Sequence, residues 1–118
     1  MLVAELYQCP REEVLELAAF CEILHNGSLI IDDIEDDSSI RRNKECVHKL
    51  FGNDVSINAG NFMYFTPMLA VFNSSKYSSE LKNKLFKIYL EEIVQLHIGQ
   101  GWDIVWHNID KLNSEFPN

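Results

Sequence analysis

The sequence predicts an all-α fold in which three long helices form part of a larger helical bundle. Two observations carry this. Apolar side chains recur at helical spacing over most of the 118 residues, and no period-two alternation is long enough to make a strand. The middle helix is also apolar on nearly every side, and a helix without a wet face needs more neighbours than two others supply. Residues 1–118 are therefore expected to be a single incomplete domain, with no internal repeat and no low-complexity segment.

Pro10, followed by Arg11-Glu12-Glu13, has the composition of a first helical turn, because proline fits the N1 position and carboxylates favour the positive end of the helix dipole. Val14, Leu17, Ala18, Cys21, Leu24 and Ser28 continue at helical spacing, so a first helix is expected from about Pro10 into the acidic run that follows. Residues 38–44 are polar and bibasic and read as a loop. Gly52-Asn53-Asp54 is a break with a capping residue; residues 55–72 then read as the second helix, which Pro67 is expected to kink or interrupt. Residues 73–79 form a turn-rich connection. Leu81, Leu85, Ile88, Tyr89, Ile93 and Leu96 mark a third helix from Glu80 that can reach His107, on the order of 40 Å long. Gly99 and Gly101 inside it cost about 1 kcal/mol each against Ala, which close approach of a ligand or another helix would explain. Residues 113–118 have the composition of a loop.

Ten basic and 18 acidic residues leave a net charge of −8. That balance repels phosphate backbones and argues against nucleic acid as a partner. A hydrophobic content of 47% excludes a disordered acidic tail. No uninterrupted apolar run approaches the ~18 residues of a membrane span, and residues 1–8 carry Glu5 and no basic residue, unlike a secretory signal. Cys9, Cys21 and Cys46 are odd in number, widely spaced and without a CxxC pair, the pattern of reduced thiols in a cytoplasmic protein.

The negative charge is concentrated, since five of the six residues 32–37 are acidic. Asp32 and Asp36 differ by about 40° around a helix and so share a face, at the end where the dipole is already negative. Two carboxylates so placed repel unless a cation sits with them. Oxygen-only ligands point to a hard ion, and open coordination positions suit Mg²⁺ shared with substrate phosphates. An EF-hand would need alternating oxygen ligands and a central Gly, and neither is present. An arbitrary acidic run is more often a solvated helix end. Here Arg41-Arg42 follows within a few residues and offers two guanidinium forks for phosphate oxygens, while His25 falls within about 20° of Asp32 on the helical stripe. Carboxylates for Mg²⁺ and arginines for phosphate together describe a diphosphate site.

The run LIIDDIED at 29–36, with Ser38 and Arg41-Arg42, resembles the first aspartate-rich motif of the trans-isoprenyl diphosphate synthases. Leu24-His25-Asn26 ahead of it, VSINAGNFMYF at 55–65 and LHIGQGWDIVW at 96–106 extend the resemblance over nearly the whole chain, closest to the eukaryotic geranylgeranyl diphosphate synthase branch. The resemblance implies an all-helical isoprenoid-synthase bundle, a homo-oligomer, that joins an allylic diphosphate to isopentenyl diphosphate. It implies that Asp32 and Asp36, with Asp33 in support, ligate Mg²⁺ and that Arg41 contacts the allylic diphosphate. It further implies that Arg42 and His25 face isopentenyl diphosphate and that Gln100 and Asp103 project toward the reacting centre. Chain length in the family is set below the first aspartates: Ser28 is small and leaves the tunnel open, while Tyr64, Phe65 and His97 match the floor, favouring a twenty-carbon product from farnesyl diphosphate. Asn43 stands where the family commonly has Gly after the arginine pair. The family's second aspartate-rich motif and its lysine-threonine pair have no counterpart in these 118 residues. Three functions are therefore expected in turn: the front half of a geranylgeranyl-type synthase, inactive alone; a non-catalytic subunit that modulates a complete synthase; or a helical scaffold with an acidic patch.

Overall fold

The computed structural model describes residues 2–115. It contains α1 (Leu2–Leu6), α2 (Arg11–Glu35), the two-residue strands β1 (Ile40–Arg41) and β2 (Lys44–Glu45), α3 (Val47–Phe51), α4 (Asn53–Asn73) and α5 (Ser79–Glu115). The all-α expectation holds: the one sheet among the described residues is the antiparallel β1–β2 pair. The chain divides into two compact units, Met1–Asn73 and Ser74–Asn118.

In the first unit α2 and α4 pack against one another, with the hairpin and α3 in the connection between them. Ile31 meets Gly60 while Gly27 meets Met63, so the two helices run antiparallel. The buried positions of α4 are Ser56, Gly60, Tyr64, Pro67 and Val71, a single stripe at helical spacing. Its large apolar side chains off that stripe are exposed, Phe62 at 66% and Phe65 at 68% among them, so among the described residues the all-apolar helix is covered on one side only. Of the kink or interruption expected at Pro67, the interruption does not occur, since α4 runs unbroken through it. Pro67 sits fully buried within the stripe, and its ring removes one backbone donor while the turns on either side keep the helix.

Pro10 is the N-cap rather than the first helical residue: its ψ of 133° is extended, and α2 begins at Arg11. The helices α1 and α3 were not legible in the sequence, being five residues each and without a periodic pattern long enough to register. The apolar stretch of α2 is long enough by length and composition alone to cross a membrane, although no uninterrupted run predicted it. That stretch carries two carboxylates, Glu16 and Glu22. The close packing of Gly27 and Ile31 on α4 is that of a bundle helix.

In the second unit α5 is longer than expected, 37 residues or about 55 Å, starting one residue early and passing His107. Ser78 caps it, its hydroxyl accepting the Leu81 N–H at 3.2 Å. The loop expected at 113–118 is helix as far as Glu115; Phe116, Pro117 and Asn118 lie outside the described residues. Gly99 and Gly101 have nothing among the described residues within 4 Å of where a Cβ would stand, so no close approach among those residues explains them.

Candidate functional site

The acidic run ends α2 as a Schellman motif. Asp36 is the C-cap, Asp37 turns into the left-handed region at φ 51°, the Asp37 N–H donates to Ile34 O, and the Ser38 N–H donates to Asp33 O. Glycine is usual at that position; aspartate is one of the few residues that tolerates it. Asp36 N–H still donates to Asp32 O at 2.9 Å, so the helical register carries through and the two aspartates stand one turn apart, as the spacing predicts.

The bibasic segment folds into a two-residue hairpin in which Ile40 pairs with Glu45 and Arg41 with Lys44. Its turn residues Arg42 and Asn43 have φ of 51° and 63°, the signature of a type I′ turn. That accounts for Asn43: both central residues must be left-handed, and Asn follows Gly in tolerating this. The hairpin is anchored at both ends, by Cys46 N–H to Ser39 O at 3.0 Å and by Lys49 Nζ of α3 on Asp37 Oδ1 at 2.6 Å.

This folding brings Arg41 onto the aspartates. Its Nη2 lies 2.7 Å from Asp32 Oδ2 and 2.7 Å from Asp33 Oδ1, and its Nε donates to the same Asp33 oxygen at 2.8 Å. The two carboxylates differ in setting. Asp33 is buried, 3% exposed, while Asp32 is partly open and Asp36 exposed. The Cys46 thiol is buried at the base of the hairpin, beside Asp33 in the lining of the same cleft. Burial first, and Asp33 second, push that thiol above its ordinary pKa. The Arg41 guanidinium is held above its ordinary value chiefly by the Asp33 hydrogen bond, against partial burial, with Asp32 adding to it. Cys46 escaped the sequence reading, in which the three cysteines were only free thiols; all three are free, but nothing local marked one as a partner of Asp33.

A cleft of about 280 Å³ opens between α2 and the hairpin, lined by Asn26, Leu29 and Ile30 on one side and Arg42, Lys44 and Val47 on the other. Arg41 and Arg42 both reach it. His25 does not line it; its ring is exposed and Asn26 takes that place. Ser28 is half-buried and donates to His25 O at 2.8 Å. Tyr64 and Phe65 part company, Tyr64 in the buried stripe of α4 and Phe65 on its exposed side. His97, Gln100 and Asp103 recur every third residue along one side of α5, in the other unit, with His97 Nδ1 2.8 Å from Ile93 O.

What this arrangement can do chemically is specific. Asp32 and Asp36 offer hard oxygen donors one turn apart, which fits Mg²⁺. Asp33, turned inward onto Arg41 and Cys46, does not fit that donor set as well. Arg41, Arg42 and Lys44 add fixed positive charge beside it.

A family model for polyprenyl synthetase matches residues 1–117. The chain is 39% identical over 101 residues to the geranylgeranyl pyrophosphate synthase of Clitopilus passeckerianus, covering 84% of this chain and 29% of that protein. It is 38% identical over 104 residues to the synthase of the same name from Dictyostelium discoideum, covering 88% and 32%. Against that of Eremothecium gossypii it is 37% identical over 111 residues, covering 92% and 34%. The chain thus spans about a third of the length of the curated relatives it matches.

Proposed function

Because the chain belongs to the polyprenyl synthetase family, we propose that it is a single incomplete domain, the diphosphate-binding front part of a geranylgeranyl-type synthase that as a whole joins an allylic diphosphate to isopentenyl diphosphate. The observation that carries this is the contact of Arg41 with Asp32 and Asp33 at the end of α2, which sets a phosphate-gripping guanidinium against the carboxylates. Asp32 and Asp36 are the proposed Mg²⁺ ligands. Bound there, Mg²⁺ would neutralise charge on the leaving diphosphate.

The chain's own residues supply the rest of the reading. Arg41 takes oxygens of the allylic diphosphate, stabilising the charge that grows as the allylic C–O bond breaks. Arg42, beside Lys44 at the cleft, takes the diphosphate of isopentenyl diphosphate, with His25 as its proposed companion. Gln100 and Asp103 are proposed to face the reacting centre. The cation left by ionisation needs a dry cavity, since water would quench it; Ser28, Tyr64, Phe65 and His97 are the proposed cavity residues, and a twenty-carbon product remains the proposal. A cytoplasmic location and a homo-oligomer belong to the same reading. The exposed aromatic side of α4 supports further helices covering it in the whole protein.

Two experiments test this. An allylic thiolodiphosphate, which cannot ionise readily, should bind the chain in the presence of Mg²⁺ and be released by chelator; binding that ignores chelator, or no binding, overturns the reading in favour of a scaffold. The 118-residue chain alone should not condense substrates, because the second aspartate-rich motif is not in it; chelator-sensitive product from the isolated chain would refute that.

A further inference from the structure

The hairpin that carries Arg41 and Arg42 has strands of two residues each, and two-stranded ribbons of that size are marginal by themselves. A ladder of rungs across residues 37–49 holds it. Arg41 faces Lys44 next to the turn, Ile40 faces Glu45, and the Cys46 N–H donates to Ser39 O at 3.0 Å. The outermost rung is an ion pair, Lys49 Nζ to Asp37 Oδ1 at 2.6 Å. Its two ends belong to different supports. Asp37 is the left-handed residue that closes α2, while Lys49 stands in α3, which packs on both α2 and α4 with His48 buried.

We infer that Lys49 is a positioning residue for the diphosphate site: its pair with Asp37 clasps the base of the hairpin and so sets where the two guanidinium groups at the tip stand. The inference rests on the diphosphate reading above. An exposed ion pair contributes little by itself, because water screens it and ordering the lysine costs side-chain entropy. Asp37 is 87% exposed and Lys49 33%. Here the backbone already brings the two ends together, with the Ser38 N–H on Asp33 O and the Lys49 N–H on Cys46 O, so the pair forms with little further loss of chain freedom. A marginal hairpin responds to small increments at its base, and Lys49 need not touch a ligand for its loss to be felt at the tip. Nothing local in the sequence marks this lysine, whose partner is twelve residues away.

The test pairs two measurements on the 118-residue chain: calorimetric titration with inorganic pyrophosphate in the presence of Mg²⁺, and hydrogen exchange at the Cys46 amide, which reports opening of the hairpin base. Lys49→Met and Asp37→Asn should each weaken pyrophosphate binding by about two- to fivefold and speed Cys46 exchange by a similar factor, the range that an exposed pair supports. Asn tolerates left-handed backbone, so Asp37→Asn tests the charge and not the turn. The double variant should be no weaker than Lys49→Met, since either substitution alone opens the clasp. Lys49→Arg should stay close to wild type. The rival reading is that Lys49 acts only as positive charge near the phosphates. Asp37→Asn then strengthens binding while Lys49→Met weakens it. That pattern, or unchanged Cys46 exchange in Lys49→Met, would overturn the inference and leave the diphosphate reading standing. A wild-type chain that binds no pyrophosphate would overturn both.

Discussion

Gly27 of α2 and Gly60 of α4 face one another so closely that a Cβ on Gly27 would stand 3.1 Å from the Gly60 carbonyl oxygen, and one on Gly60 would stand 3.2 Å from that of Gly27. This contact sets how near the helix bearing the acidic run lies to α4, and each backbone is in effect the other's packing surface. The helices cannot approach this way with any larger residue at the crossing.

The two glycines should not respond alike. A Cβ on Gly27 meets Met63 Cβ at 2.9 Å, which moves only with the backbone, whereas one on Gly60 meets the flexible Ile31 side chain at 2.8 and 2.9 Å. Gly27→Ala should destabilise the chain by about 1–3 kcal/mol as overpacking does. Gly60→Ala should cost less, because Ile31 can change rotamer. Chemical denaturation of both variants checks the order; equal costs would mean that Ile31 is as immovable as Met63 Cβ.

Gly99 and Gly101 make the opposite prediction. With nothing among the described residues within 4 Å of either position, Gly99→Ala and Gly101→Ala should each raise the helical stability of this chain by up to about 1 kcal/mol. Circular dichroism melts would show it. If the same substitutions depress substrate binding in a longer form of the protein, the glycines serve a partner that approaches α5 there.

The hairpin turn requires left-handed backbone at Asn43, where φ is 63°. Asn43→Gly should leave the hairpin intact or slightly firmer. Asn43→Val should cost about 1–2 kcal/mol, the penalty for a side chain forced into that region, and should weaken pyrophosphate binding through Arg41 and Arg42. Paired measurements of stability and affinity separate the two effects.

Alkaline pH should loosen the same corner. The Cys46 thiol is raised above its ordinary 9.0, by burial first and by Asp33 second. A thiol whose folded value lies above its unfolded one binds its proton more tightly in the folded state. Its contribution is therefore complete below about pH 9 and is lost as pH rises through the folded value. Thermal midpoints of the wild-type chain should fall above that pH, and more steeply than those of Cys46→Ala. Parallel slopes would assign the fall to other groups.

The chain by itself determined a good deal. Helical periodicity is written locally, so α2, α4 and the start of α5 were legible to within a few residues, as was the single-turn spacing of Asp32 and Asp36, whereas the end of α5 lies eight residues past the expected His107; the basic pair and the runs around it were enough to point to the family. What only the tertiary structure decided is which neighbour each of those residues meets. Asp33 differs from Asp32 by one position in sequence, yet it is buried because Arg41 and Cys46 fold back onto it from 8 and 13 residues away, through a turn whose left-handed Arg42 carries no strong local signal. Tyr64 and Phe65 likewise look equivalent in a nearly uniform apolar helix, and the contact with α2 picks the buried stripe. Periodicity places a side chain on a face, but burial and charge pairing depend on what packs against that face, and those partners come from elsewhere in the chain.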